Sequence, residues 1–322
     1  MLKRAWIILL IIIAASSYAA AQGIAAGPAY LSLLMNNPAL SGSEGQGVLR
    51  LSYLNYYPGN SYNLNSVYLS YDSYIPAMHG GAAFYLSEDY MGGIINDLRG
   101  GLSYAYFLQA GKNLFINAGL TASVVHRGYN FTGAVLPDQI DPLGGATLPS
   151  SEVLDATGKT VLDIGAGFLF ASGKVSGGLA VNHLAEPELS SSALSAEKIR
   201  RRYSFHISSG LDLKGKGNLK IEPLVIAAQQ GNYFSAGGGA AMESSHLAVN
   251  AVLIADNGSN INCQAGFAVN FSIVSIYYNY LFNLKSGNSL LPLSLLHQVG
   301  LAFSLNNVEK RNAINTINFP KL

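Results

Sequence analysis

Side chains alternate with a period of two through most of this chain, and the alternating segments carry almost no charge on either face. In INCQAGFAVNF (261–271), Ile, Cys, Ala, Phe, Val and Phe share one face, and Asn, Gln, Gly, Ala and Asn share the other. The segments LFINAGLTASV (114–124), FHISSGLDL (205–213) and VSIYYNYLF (274–282) alternate in the same way. Because successive side chains of a β-strand point to opposite faces, this pattern predicts strands with one apolar face and one small or polar face.

The low charge of the chain indicates what surrounds these strands. Charged residues make up 11% of the sequence, against about 25% in soluble domains. A soluble β-sandwich also alternates, but its outward face should carry Lys, Glu and Thr. No stretch after the N-terminus approaches the length of a spanning apolar helix. The sequence therefore predicts an all-β protein, a transmembrane antiparallel β-barrel with outer-membrane lipid around it and Gly, Ser, Asn and Tyr in its lumen. A net charge of +1 argues against a nucleic-acid partner.

Connection lengths predict the strand count and the orientation. All the long connections follow odd-numbered strands, with 128–160 and 184–200 the longest, and no connection after an even strand exceeds six residues. Bacterial barrels have even strand numbers, short periplasmic turns and long outer loops. The fourteen predicted strands span 48–57, 62–72, 79–87, 98–108, 113–127, 161–171, 174–183, 201–213, 218–228, 231–241, 246–255, 262–271, 274–283 and 292–305.

The first residues predict export. Lys3 and Arg4 precede the apolar run AWIILLIIIAA, and Ala19–Ala21 offers a cleavage site of small residues. A membrane anchor is the alternative, but the apolar run is shorter than the ~20 residues of a spanning helix. The predicted domains are a signal peptide (1–21), an N-terminal segment (22–47), the barrel (48–305) and a periplasmic tail (306–322).

Motifs for catalysis and for metal binding are weak. There is no G-x-S-x-G elbow, and six scattered histidines show no H-E-x-x-H spacing. His183 and Asp163 could meet in space and leave a serine hydrolase open, but the sequence supplies no poised nucleophile. Cys263 is the sole cysteine, which excludes an internal disulfide and a cysteine-based metal cluster. We therefore expect neither an enzyme nor a cofactor.

The two longest outer loops hold the candidates for partner contact. The acidic part of loop 128–160 could bind a partner or Ca²⁺, although its spacing matches no standard calcium loop. An arginine run at the end of loop 184–200 could bind a partner or a lipopolysaccharide phosphate, or form an interfacial cluster paired with Glu197 or with acids of the loops. These candidates are Asp138, Asp141, Glu152, Asp155, Arg200, Arg201 and Arg202.

An ordered series of motifs gives the chain a resemblance to a known family. MNNPALSG (35–42), LPDQIDP (136–142), VNHLAEP (181–187) and IRRRYSFHIS (199–208), together with the stretches 68–86 and 102–120, resemble the PorP/SprF outer-membrane proteins of Bacteroidetes. The resemblance implies a non-enzymatic barrel of the type IX secretion and gliding motility system. Such a barrel anchors or helps deliver secreted surface proteins through their C-terminal sorting domain, and contacts periplasmic components of the apparatus. The tail after Leu305 departs from the expected end of such a barrel.

Asn37, Pro38 and Ala39 precede the first predicted strand. Asn-Pro starts turns, and Pro cannot donate to a sheet ladder, so a simple turn is one interpretation. The three residues also resemble the Asn-Pro-Ala box of fatty-acid transport barrels, which implies a plug within the lumen. A transporter of hydrophobic solutes is thus the alternative function, and it would need a continuous apolar groove. A diffusion porin should carry acidic and basic ladders in its lumen, whereas the predicted strands hold few charges.

Overall fold

The computed structural model describes residues 33–59, 64–132, 135–141, 143–146, 148–151, 158–189, 198–213, 219–287 and 291–305. The predicted signal peptide, the predicted tail 306–322, and Glu152, Asp155 and Glu197 lie outside the described residues. Within the described part, no helix has the length and apolarity needed to cross a membrane.

Fifteen of the seventeen strands form one antiparallel sheet, which closes because β10 pairs with β12. β10 and β11 both pair with β12 and are interrupted at Gly210, so they form one wall strand and the barrel has fourteen. The predicted fourteen-stranded barrel is confirmed. The strands are β1 (Val48–Tyr56), β2 (Leu64–Ile75), β3 (Gly80–Met91), β4 (Ile95–Gln109), β5 (Leu114–Tyr129), β6 (Ile140–Asp141), β7 (Gly145–Ala146), β8 (Lys159–Ser172), β9 (Val175–Asn182), β10 (Arg202–Ser209), β11 (Leu211–Leu213), β12 (Leu219–Gln230), β13 (Tyr233–Glu243), β14 (Leu247–Asp256), β15 (Ile261–Asn270), β16 (Val274–Lys285) and β17 (Ser294–Ser304).

The two ends of the barrel differ in the length of their connections. One end carries short turns such as 110–113, 173–174 and 271–273. The other carries the connections 130–158 and 183–201, and a small hairpin of β6 and β7 lies within the first of these. Long loops face the cell exterior in outer-membrane barrels, so we call this the outer end.

One predicted boundary is wrong. The sequence predicts an outer connection over 88–97, but β3 continues to Met91 and β4 begins at Ile95. Gly92 and Gly93, with φ of 65° and 76°, let the chain reverse between them in a left-handed conformation that other residues rarely adopt. The charges in this stretch, which are typical of a loop, therefore belong to paired wall strands.

The two faces of the wall follow the alternation in the sequence. Leucines on the lipid side are widely exposed, as at Leu102, Leu120 and Leu162. Asn117 and Gln264, on the opposite face of their strands, are buried. Lipid takes the place of water around such a barrel, so apolar side chains point outward and polar side chains pair inside.

The N-terminal segment (33–47) enters the interior before the wall begins. It contains a short helix α1 (Leu33–Asn36) and a 3₁₀ turn (Pro38–Leu40) that contacts β4, β5 and β8. Asn37 caps this turn, since its Oδ1 accepts a 2.9 Å hydrogen bond from the amide of Ala39, and Pro38 occupies the first position. Asn-Pro-Ala thus forms a capped turn, and the turn lies inside the barrel.

Candidate functional site

Hydrogen bonds to three wall strands hold the inner part of the N-terminal segment. Asn37 Nδ2 donates to the carbonyl of Phe168 on β8 at 3.2 Å. The carbonyl of Asn36 accepts from Asn182 Nδ2 on β9 at 3.1 Å and from Ser204 Oγ on β10 at 3.2 Å. Because polar groups of the segment are buried here, each of these bonds removes a desolvation cost.

An ionic clamp fixes the same segment near the inner end of the barrel. Arg50 on β1 pairs with Asp72 on β2 and with Glu44 of the segment. Asp72 also accepts a 2.8 Å hydrogen bond from the amide of Gly42. Each charge has an opposite partner, and the excess negative charge of two carboxylates around one arginine is offset in part by the Gly42 amide and by the partial exposure of Glu44.

Glycines in the wall give the segment room to approach the strands. A Cβ atom on Gly119 of β5 would overlap the backbone of Pro38 and Ala39, and one on Gly167 of β8 would overlap Asn37. A Cβ on Gly81 of β3 would overlap the carbonyl of Ser41. The wall therefore requires glycine at these positions for the backbone of the segment to lie against it.

A pocket of about 120 Å³ lies on the outer side of this segment. Met35 and Asn36 form its floor, and its walls come from β1–β5, β8–β10 and β12. Leu189 of the outer connection 183–201 also lines it and is buried. The ionisable acids and bases in the lining, apart from tyrosines, are Asp89, Asp97, Arg99, Arg127, Asp163, His183, Lys198, Arg200 and Arg202.

Two hydrogen-bonded pairs of ionisable side chains fix part of the pocket lining. Arg127 Nε and Nη2 donate to the two carboxylate oxygens of Asp97 at 2.7 and 2.6 Å, a planar fork that fixes both side chains. His183 Nδ1 lies 2.6 Å from Asp163 Oδ2, so the two residues meet as the sequence suggested. No serine among the described residues hydrogen-bonds to the other ring nitrogen of His183, the contact that a serine hydrolase requires.

The predicted arginine run divides between two environments. Arg201 is exposed, and its Nε donates to the carbonyl of Leu184 at 3.0 Å, which ties the two ends of connection 183–201 together. Arg202 is 9% exposed and lines the pocket. Arg200 lies at the pocket as well, and its carbonyl accepts from Gln230 Nε2 at 3.2 Å. Arg202 thus faces the interior, whereas Arg200 lies at the pocket but is exposed.

The predicted acidic residues of the longest loop shape that loop. Asp138 accepts hydrogen bonds from the amide of Ser151 at 2.8 Å and from Ser150 Oγ at 2.9 Å. Asp141 accepts from the amides of Leu143 and Gly144 at 2.7 and 2.8 Å.

These bonds stabilise the charged form of both carboxyls. The amide of Ser151 lowers the pKa of Asp138, and the amides of Leu143 and Gly144 lower the pKa of Asp141. Among the described residues, no group of three His, Cys, Asp or Glu side chains could hold a metal ion.

The charged lumen is what the sequence interpretation missed. The expectation that the strands hold few charges is wrong at the outer end, where Asp97, Arg99 and Arg127 project from β4 and β5 into the pocket. The signal was present in Asp97-Leu98-Arg99, since charges two residues apart share one face of a strand. Leu98 between them is half exposed on the lipid side.

Comparison with solved structures shows the fold. A TodX mutant described as a monoaromatic hydrocarbon channel is 13% identical, with a TM-score of 0.50, and the match covers 90% of this chain and 95% of that one. The P. putida toluene transporter TodX is 12% identical, with a TM-score of 0.48 and coverage of 84% and 93%. A Pseudomonas aeruginosa FadL homologue is also 12% identical, with a TM-score of 0.44 and the same coverages. No curated protein matches the sequence significantly.

The family comparison covers most of the chain. Residues 29–303 match the family described as type IX secretion system membrane protein PorP/SprF. The match includes the segment inside the lumen, the wall strands and the outer connections that border the pocket. The chain is therefore an integral outer-membrane β-barrel that belongs to the PorP/SprF family of type IX secretion system membrane proteins.

Proposed function

We propose that this barrel anchors or helps deliver secreted surface proteins, and that it does so by engaging their C-terminal sorting domain. The outer loops 128–160 and 184–200 make the contact, and the predicted tail 306–322 faces periplasmic components of the secretion apparatus. The family supports a role in type IX secretion. The resemblance to surface-protein anchors supports the more specific role.

The observation that carries the proposal is the position of the pocket. It adjoins the outer connections, and its floor is the N-terminal segment, which hydrogen bonds and an ionic clamp hold in the lumen. A pocket with a floor receives a group from one side, as an anchor requires. We propose that Asn37, Pro38 and Ala39 belong to a plug that keeps the lumen closed beneath a bound partner.

The longest outer loop offers surface for a protein partner. Leu143, at the turn of the β6–β7 hairpin, is fully exposed, and Val135 and Ile140 are more than half exposed. These three side chains belong to one outer connection and expose apolar surface there, which a protein partner could bury. The carboxylates of Asp138 and Asp141 order the loop that presents them.

A transporter of hydrophobic solutes is the second candidate, since Asn-Pro-Ala lies within the lumen as the resemblance to fatty-acid transporters implies. The lining of the pocket favours the anchor. A hydrophobic solute would meet the Arg127–Asp97 and His183–Asp163 pairs, and apolar solutes gain little from ionic groups.

Replacement of loop 128–160 by a short Gly-Ser turn tests the proposal. We expect the barrel to insert normally and surface proteins to appear in the culture medium instead of on the cells. The control replaces 286–293, another outer connection, in the same way. If every surface protein stays attached after the first replacement, the loop anchors nothing. Impaired uptake of a hydrophobic solute with unchanged surface proteins would favour the transporter.

A further inference from the structure

The charges around the pocket leave a cationic surplus. Five cationic side chains, Arg99, Arg127, Lys198, Arg200 and Arg202, line it against three carboxylates, Asp89, Asp97 and Asp163. Asp97 is held in the fork of Arg127, and Asp89 accepts a hydrogen bond from Ser66 Oγ. With much of the negative charge already engaged, the pocket favours an anion over a cation.

Unused hydrogen-bonding groups in the lining define the ligand further. Arg99 Nε and Ser87 Oγ are buried donors that have no partner among the described residues. Asp163 Oδ1 is a buried acceptor that also has none there. Ser87 and Asp163 are each 5% exposed, so bulk water has little access to hydrogen-bond with them. A ligand that satisfies all three presents an anionic acceptor together with an N–H or O–H donor.

The size of the pocket limits what part of a ligand can enter. At about 120 Å³ it is smaller than the roughly 300–1,000 Å³ of sites that enclose a drug-sized molecule. One side chain or one chain end fits, whereas a folded element does not. The C-terminal end of a polypeptide has the required chemistry, since its carboxylate accepts hydrogen bonds and its last amides donate them.

We propose that this pocket binds the C-terminal carboxylate of an extended polypeptide that enters from the outer end. The inference rests on the proposed function, and it names the group by which the secreted partner is held. Arg99 and Ser87 bind the carboxylate, and Asp163 accepts a hydrogen bond from a neighbouring peptide N–H. The outer connection 183–201 borders the entry through Lys198 and Arg200.

A lipopolysaccharide phosphate is the competing anion. A phosphate can donate to Asp163 Oδ1 only through its acidic P–O–H proton, whereas a peptide end supplies an amide N–H that stays protonated beside the anionic carboxylate. A lipid headgroup also lies outside the wall, while Arg99 projects from β4 into the interior. A peptide end can enter the mouth of the barrel without leaving a lipid leaflet, and for this reason we assign the site to a polypeptide.

The test uses the full-length barrel purified in detergent and peptides of matched sequence. The probes are N-acetyl-Gly-Gly-Ala with a free carboxylate, the same peptide with a C-terminal amide, and inorganic phosphate. Saturation-transfer NMR measures binding, because it detects weak ligands. We expect the free acid to bind, and the amide to bind at least roughly tenfold more weakly, since it lacks the charge that strengthens hydrogen bonds to Arg99. Equal binding of acid and amide, or displacement of the peptide by equimolar phosphate, overturns the proposal.

Variants locate the site. Arg99→Gln and Ser87→Ala are each expected to weaken binding of the free acid severalfold. Lys285→Gln, an exposed charge at the outer end of β16 beyond the pocket lining, is expected to leave binding unchanged. If Arg99→Gln does not fold, Ser87→Ala and the acid–amide pair still decide the result. Unchanged binding by the folded pocket variants refutes the assignment.

The same variants in cells separate this inference from the proposed function. If replacement of loop 128–160 releases surface proteins but Arg99→Gln does not, the barrel is an anchor and the carboxylate site is wrong. If neither change releases them while the purified barrel still prefers the free acid, the pocket is correctly assigned and the anchoring function fails.

Discussion

The two sides of the barrel wall fill the shared lumen in different ways. The segment-facing wall (β2–β5 and β8–β10) receives the N-terminal segment on glycine, serine and asparagine positions, and the charged pocket lies above it. The self-packed wall (β12–β17 with β1) fills the lumen mainly with its own side chains, and its contact with the segment is the pairing of Arg50 with Glu44 at the inner end of β1. One apolar cluster connects strands that are not neighbours in the sheet, through Leu54, Tyr56, Leu224, Ile226, Val252, Ile254 and Leu296.

Buried amides complete the self-packed wall. Asn250 Nδ2 donates to Asn279 Oδ1, and Asn279 Nδ2 donates to Gln298 Oε1, each at 3.2 Å. Glycine there makes room for a neighbouring side chain, since a Cβ on Gly300 would overlap the ring of Tyr277. On the other wall the same residue type makes room for a separate stretch of backbone. Apart from Arg50 of β1, which clamps the segment through Glu44, the self-packed wall fills the lumen with its own side chains, whereas the other wall depends on residues 33–47.

Deletion of residues 34–47 should have the largest effect, because only the segment-facing wall depends on this segment to fill the lumen. We expect conductance to small solutes to rise from near zero, because the segment-facing wall loses its filling while the apolar cluster of the self-packed wall remains. The barrel should stay folded, since no wall strand is removed. Planar-bilayer conductance and heat-modifiable migration of the folded barrel measure the two effects.

A control for this deletion keeps the segment and removes only its clamp. Asp72→Asn weakens the pairing with Arg50 and should give intermittent opening, with conductance below that of the deletion. If the deletion leaves conductance unchanged, and the intact segment is freely cut by protease, then residues 34–47 do not close the lumen.

A single methyl group should affect the two walls in different ways. Gly119→Ala places a Cβ against the backbone of Pro38 and Ala39, and we expect a loss of about 1–3 kcal/mol with protease access to residues 33–47. Gly300→Ala displaces the ring of Tyr277 and should cost a similar amount without exposing the segment. Urea unfolding and limited proteolysis of the folded barrels measure these effects.

Gly238→Ala is the control for Gly119→Ala and Gly300→Ala. The nearest atom to its added Cβ is the carbonyl oxygen of Leu224 at 3.7 Å, which is an ordinary contact distance. It should change stability little. Equal protease resistance of Gly119→Ala and Gly300→Ala would show that the segment does not depend on the glycine face of its wall.

The sequence predicted the wall better than the interior. Alternation between lipid and lumen is a local rule that each strand obeys separately, so INCQAGFAVNF was assigned correctly and Gln264 and Phe267 lie on the predicted faces. The pocket depends on which strands come to face one another. Arg127 and Asp97 are 30 residues apart and meet only through the pairing of β4 with β5. The connection predicted over 88–97 also placed Asp89 and Asp97 outside the strands, although both lie on wall strands and line the pocket.

The smallest expected effect concerns Gln264 in the self-packed wall. This residue is fully buried on β15, and neither its Oε1 nor its Nε2 has a hydrogen-bond partner among the described residues. A buried amide without partners loses its hydration on folding and gains nothing in return, so Gln264→Leu should raise the free energy of unfolding by about 1 kcal/mol.

Asn117→Leu is the matched change on the other wall, where Nδ2 donates to the carbonyl of Ala39 at 3.4 Å. It should lower the free energy of unfolding by about 1 kcal/mol, because that carbonyl then has no donor. Urea midpoints at constant slope measure both changes. If the two changes in the free energy of unfolding have opposite signs, polar residues on the segment-facing wall bind the segment, whereas Gln264 on the self-packed wall makes no stabilising hydrogen bond. The same sign for both would remove the distinction between the walls.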